Sequence, residues 1–312
     1  MMLQQRPYRP TWSGASSTGK CVCESRSPII TVHHGLRPTD RADAEALLLR
    51  CNQLEGLDLS LNLAPEGSPG TGEVSQYLYR DNGALVGYLS ADGSSDVETS
   101  LAVDPPWRRR GIGRRLLEAA RADCIGRGLT SWTLAIDEAS PSGRAFVQAV
   151  GGVYQSSEYR LELARDRVPA PRLWDPIVDL RQVGPTDAGL LGQLMADSFG
   201  NSLDETTAWI QRDLAKPNHR FDIASIDGTP VGQIRTNYYG DVIYVTAFGV
   251  LPAHRGRGHG RQILEATVRR LVADKWPTIR IEVATNNVNA LGLYQSTGFV
   301  LKTAFGYFQQ AI

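Results

Sequence analysis

Cysteine is scarce in this chain: four thiols, Cys21, Cys23, Cys51 and Cys124, in 312 residues. They stand in unrelated settings, which excludes a disulfide framework as the organising device of so long a chain, and free thiols are the reading. Cys21-Val22-Cys23 followed by His33-His34 can be drawn as a metal site. Two ligands two apart in a Ser/Gly/Arg-rich stretch fix no coordination geometry, so no metal is expected. Long apolar runs are also missing. The longest, such as Asp241 to Leu251, fall far short of a membrane span, and the N-terminus lacks the unbroken apolar stretch of a secretory signal. The expectation is a cytoplasmic protein without a membrane partner. Nor is there an excess of either charge: 33 Lys+Arg balance 33 Asp+Glu, leaving no net field to gather polyanions. A general nucleic-acid binder is disfavoured.

What is present is a repeat. At 312 residues two domains are the default, and 42% hydrophobic against 21% charged residues are globular proportions. Pro38-Thr39-Asp40 matches Pro185-Thr186-Asp187 at a shift of 147. The same shift carries Val103-x-Pro105 onto Val250-x-Pro252, Arg108-x-x-Gly111-x-Gly113 onto Arg255-x-x-Gly258-x-Gly260, and Leu116-Leu117 onto Ile263-Leu264. Only the hairpin at Asn82-Gly83 slips, by two residues, against Asp227-Gly228. Thr-Asp at a helix N-cap opens each copy, followed by apolar positions at helical spacing, Ala44, Leu47, Leu48 and Cys51, then Leu190, Leu191 and Leu194. Strands follow, a helix starts at the glycines, and a strictly alternating strand comes next, with Trp132, Leu134 and Ile136 or Ile279, Ile281 and Val283 on one face. The pattern predicts an α+β fold. Residues 1–29 read as a disordered or loosely attached tail, 30–163 as the first domain, 164–176 as a proline-stiffened linker and 177–312 as the second domain.

The glycine loops carry the chemistry. Glycines between a strand end and a helix start let successive backbone N–H groups point into one concavity, and the helix N-terminus adds unsatisfied donors. Arginines supply charge at the rim, so the loop suits a diphosphate. The dinucleotide fingerprint needs a third glycine where Arg261 stands, and the P-loop's Gly-Lys-Ser/Thr is absent. The arginine cluster 108–115 could instead touch nucleic acid, but it sits in a neutral chain and recurs at one register in both copies.

Val-x-Pro-x-x-Arg-x-x-Gly-x-Gly resembles the acetyl-CoA pyrophosphate loop of the GNAT superfamily. The run from Glu282 through Asn287, Ala290 and Tyr294 to Gly298-Phe299 is similar to that family's second signature. The resemblance spans both copies and implies, for each, a mixed central sheet flanked by helices, its strands splayed so that the pantetheine arm lies between them. Carried onto this sequence, it implies acetyl-CoA contacts at Phe248, Val250, Arg255, Gly256, Arg257, Gly258, His259, Gly260, Arg261 and Asn287. In the first copy it implies Val103, Arg108, Arg109, Arg110, Gly111, Gly113 and Arg114.

Tyr294 stands at the position the family uses as acid, and a phenol can protonate a departing thiolate. Glu282, twelve residues earlier, matches the base of ribosomal-protein N-terminal acetyltransferases of this superfamily, while the preceding strand offers Tyr244 and Thr246 but no carboxylate. The backbone N–H of Val250 is the candidate oxyanion donor. In the first copy the same shift lands on Val147, Ala135 and Ser140 in place of Tyr294, Glu282 and Asn287, so that copy is expected to bind acetyl-CoA without using it. A two-copy plan with one degraded site also resembles superfamily members of the mycothiol synthase type. The implied reaction moves acetyl to a primary amine by direct attack. Its partner would be a small-molecule amine or a peptide N-terminus, met by a monomer or homodimer. The rival is a non-catalytic acyl-CoA-binding sensor or scaffold.

Overall fold

The computed structural model describes residues 29–59, 61–66, 74–93, 97–173 and 177–312. The expected tail, with Cys21 and Cys23, lies outside them except for Ile29, as do residues 174–176 of the linker.

The first copy runs β1 (Ile29–His33), α1 (Pro38–Glu55), β2 (Val74–Asp81), β3 (Ala84–Asp92), β4 (Glu98–Val103), α2 (Ile112–Gly126), β5 (Ser131–Asp137), α3 (Pro141–Ala149) and β6 (Val153–Leu163). The second runs β7 (Asp179–Gln182), α4 (Ala188–Phe199), α5 (Leu203–Leu214), β8 (His219–Ile226), β9 (Thr229–Tyr239), β10 (Val242–Val250), α6 (His259–Ala273), β11 (Thr278–Ala284), α7 (Val288–Ser296) and β12 (Phe299–Ala311). The helices at the glycines and the alternating strands fall where the pattern placed them, with Leu116, Leu117, Ile263, Leu264, Ile279 and Ile281 all buried. None of the described helices is long and apolar enough to cross a membrane.

Two local expectations fail for steric reasons. The Thr-Asp pair of the first copy lies inside its helix, and in the second Asp187 stands at the N-cap of α4 without a side-chain capping bond. α1 already starts at Pro38, whose fixed φ suits the first helical position, and Arg37 is its N-cap. In the second copy Pro185–Asp187 forms a 3₁₀ turn, and the Asp187 carboxylate accepts the Gly184 N–H instead. Leu190 is exposed on α4, which buries Leu191, Leu194 and Met195.

The strands form one mixed sheet in the order β1-β2-β3-β4-β5-β12-β6-β11-β10-β9-β8-β7. This order exchanges the last strands of the copies. β12 pairs antiparallel with β5, Phe305 opposite Asp137, and β6 pairs antiparallel with β11, Glu282 opposite Arg160. The exchange is apolar as well as hydrogen-bonded: Leu161 and Leu163 of β6 sit in the core under α6 and α7, while Phe308 and Ile312 pack on the core under α2. Separate clusters beneath α1 and beneath α4 and α5 cover the opposite face.

Candidate active site

Each glycine loop begins with a 3₁₀ turn, Pro105–Trp107 or Pro252–His254, and ends at a left-handed helix N-cap, Gly111 at φ 79° or Gly258 at φ 84°. A Cβ would meet nothing at Gly111, so there the positive φ rather than space demands the residue. Gly256 (φ 74°) and Arg109 (φ 64°), one shift apart, repeat the left-handed turn. Both loops thus share the backbone path that gathers N–H groups for an anion.

The leading arginines are tied to backbone carbonyls. Arg255 donates from Nε to the Val250 carbonyl (2.9 Å) and from Nη2 to the Ser198 carbonyl (2.7 Å). Arg108 donates to the Val103 carbonyl (3.0 Å) and pairs with Glu55 of α1. These two guanidiniums tie the strand end to the preceding helix. Arg110 lies over the Trp107 ring at 4.7 Å, Arg114 reaches the Ala149 carbonyl at 3.3 Å, Arg257 is exposed and Arg261 half-buried. His259 is buried, and its imidazole is pulled below the usual range by burial, then by the neighbouring His254 and Arg257. Gly260 and Gly113 allow close packing: a Cβ on the first would lie 3.6 Å from Phe248, Val250 and Leu293, on the second 3.0 Å from Phe146.

The parallel strands part beside these loops. β10 and β11 stay paired only from Val242 opposite Thr278 to Val245 opposite Ile281, and β4 and β5 only at Glu98 and Thr99. In β10 the ladder to β9 then shifts between Thr246 and Gly249, with Ala247 at φ 45°. This bulge turns Phe248 toward α7. Leu251 N–H bonds the Val231 carbonyl, so by the alternation of an antiparallel ladder the Val250 N–H points away from β9, into the gap. In the first copy a cavity of about 660 Å³ fills the corresponding gap, lined by Leu101, Val103, Arg108, Gly111, Ala135 and Val147 among others.

Tyr294 is buried on α7, its ring 6.3 Å from that of Phe248 and 6.4 Å from that of Phe299. Burial pushes its hydroxyl up to about 12. Asn287 is the N-cap of α7, accepting the Ala290 N–H at 3.1 Å, and Ser140 caps α3 through the Gly143 N–H at 3.0 Å. Gly298 adopts φ 102° against the carbonyl of Arg167, which gives that signature glycine a packing reason. Glu282 sits on the face of β11 opposite Ile281 and Val283, and those two pack in the same cluster as Tyr294. The candidate acid and base therefore approach from opposite faces, and only a group in the gap can meet both.

Sequence reasoning missed the partner of Glu282. Arg160, on the exchanged strand β6, donates from Nε to Glu282 Oε1 at 2.8 Å, and its guanidinium lies 4.2 Å over Phe305 and 5.8 Å from the centre of the Tyr244 ring. A separation of 122 residues hides the pair, and no local motif announces it.

The acetyltransferase (GNAT) family profile matches residues 190–299, and a GNAT domain profile matches residues 73–160. The mycothiol acetyltransferase of Streptomyces coelicolor is 30% identical over 251 residues, 75% of this chain and 79% of that protein. The chain belongs to the GNAT acetyltransferase family. The mycothiol acetyltransferase of Streptomyces griseus is 28% identical over 291 residues, 85% of this chain and 91% of its own length. Among solved structures, a GCN5-related N-acetyltransferase from Sphaerobacter thermophilus superposes with a TM-score of 0.70 at 16% identity, covering 90% of this chain and 95% of that one. A tandem GNAT protein from the clavulanic acid biosynthesis pathway superposes at 0.66 and 18%, covering 91% and 98%. The protein is thus a tandem GNAT N-acetyltransferase. GNAT enzymes use acetyl-CoA, and this chain fits it twice over: two left-handed glycine turns at helix starts, each beside a pair of parting strands.

Proposed function

We propose that the second GNAT unit transfers an acetyl group from acetyl-CoA to a primary amine by direct attack, and that the first binds the cofactor without turnover. The carrying observation is the contrast at one register. The second gap is flanked by Tyr294, Glu282 and Asn287, the first by Val147, Ala135 and Ser140. Acetyl-CoA supplies the thioester; residues 256–261, braced by Arg255, hold its diphosphate and Asn287 its arm. Glu282, positioned by Arg160, takes the proton that the amine nitrogen sheds as it bonds to the acetyl carbon, directly or through water. The Val250 N–H donates to the carbonyl oxygen as charge develops there. Tyr294 then gives its hydroxyl proton to the departing sulfur as the C–S bond breaks.

The acceptor face favours a cation. Glu158 of β6 lies near Glu282, and burial, then the charge of Glu282, push its carboxyl up. The named relatives are mycothiol acetyltransferases, so the acceptor of that reaction leads the list of amines to test. The test follows thiol release from acetyl-CoA across amine classes. Tyr294→Phe should lower kcat by roughly 10²-fold while acetyl-CoA affinity holds, because the ring and its packing remain. If no amine gives turnover above hydrolysis, the protein is instead an acyl-CoA sensor.

A further inference from the structure

A second chamber, of about 360 Å³, lies between the two copies and is lined by Gly56, Leu57, Asp58, Asp137, Ala139, Glu162, Arg280, Lys302 and Thr303. It shares Leu57 and Asp137 with the larger cavity of the first gap. Four of the five charges in its wall are paired: Arg280 bridges Asp58 (3.1 Å) and Glu162 (3.2 Å), and Lys302 stands 3.7 Å from Glu162. Asp137 is the exception. It is 2% exposed, and its Oδ1 is fixed by the Ala139 N–H and the Thr303 hydroxyl, both at 2.9 Å. Its Oδ2 is buried with no hydrogen-bond partner among the described residues.

We propose that the first GNAT unit carries a binding site for a small molecule with a primary ammonium group, held by Asp137 where the parted strands meet this chamber. Three carboxylates face two cations there, so the wall is short of one positive charge, and a buried carboxylate with an idle oxygen is costly until a charged donor reaches it. An ammonium supplies both the charge and the N–H groups. Position supports the same ligand class. Asp137 is two residues beyond Ala135, which matches Glu282, and so shares its face of the strand one pleat nearer the gap. The second copy has Ala284 at the matching place, so the repeat supplies this carboxylate only once.

The site does not depend on turnover in the second unit. Ethylammonium and glucosamine are titrated by calorimetry into the full chain carrying Glu282→Gln, which disables the acceptor carboxylate of the second gap. One amine equivalent should still bind, and adding Asp137→Asn should weaken it about tenfold or more. Leu57→Trp, which fills the junction and leaves the carboxylate intact, should abolish it, and decides the matter if Asp137→Asn fails to fold. Neither amine binding to the Glu282→Gln chain, or equal binding to folded Asp137→Asn or Leu57→Trp, overturns the proposal. Amine binding at Asp137 without acetyl transfer to any amine would overturn the acceptor reading of the second unit and leave this one standing.

Discussion

Arg160 and Glu282 meet because two strands from different copies lie side by side, and their 2.8 Å bond makes the candidate base part of a pair. Glu282→Gln should lower kcat/KM by roughly 10²-fold and recover partly as pH rises and more amine is free. Arg160→Gln should cost less, since it only releases the carboxylate. The double variant should be no worse than Glu282→Gln, because residues acting through one group are not additive. Additive losses in kcat/KM would give Arg160 a separate role. Tyr294 carries the other residue-scale prediction. With burial holding its hydroxyl at about 12, it stays protonated through neutral and mildly alkaline solution. The plateau of kcat should therefore show no alkaline fall between about pH 8 and about pH 10, where an ordinary phenol would begin to titrate. A fall in that range that disappears in Tyr294→Phe would contradict the burial argument.

The loops and strand ends show how far local patterns reach. Gly111 and Gly258 were legible as helix starts because only a residue at ease with positive φ ends the turn there. A glutamate at Gly258 combines that strain with a negative charge at the proposed diphosphate site, so Gly258→Glu should abolish turnover, whereas Gly111→Glu should leave most of it. Calorimetry with acetyl-CoA should count up to two sites per chain in the wild type and one in Gly111→Glu. Loss of turnover in folded Gly111→Glu, with the second site still binding, would mean that the copies are coupled. The bulge at Ala247 was illegible. Sixteen residues separate Gly87 from its partner Val103 but eighteen separate Gly232 from Val250, and the hairpin's two-residue slip showed that offset without showing where it is absorbed. Part of it is the bulge that turns Phe248 toward Tyr294.

Across the whole molecule the exchanged strands bind the copies into one sheet, each completing the other's core. Leu161, in the first copy's sequence, is fully buried in the second copy's core, so Leu161→Ala should cost about 3 kcal/mol. Hydrogen exchange should then report the loss in β11 and α6, and heating should unfold both copies in one transition. Two well-separated transitions would show that the exchange does not couple them. By itself the sequence determined the duplication, the α+β alternation, the two glycine loops and the loss of the tyrosine and glutamate from the first copy. Each of these is written in residues close in the chain or repeated at a fixed shift, where periodicity and backbone preference act. Only the tertiary structure decided which strand lies beside which, and with it the Arg160–Glu282 pair, the chamber between the copies and the idle oxygen of Asp137. Two strands of the same pattern satisfy the same local rules in either sheet, and the choice between them rests on contacts between residues more than a hundred positions apart.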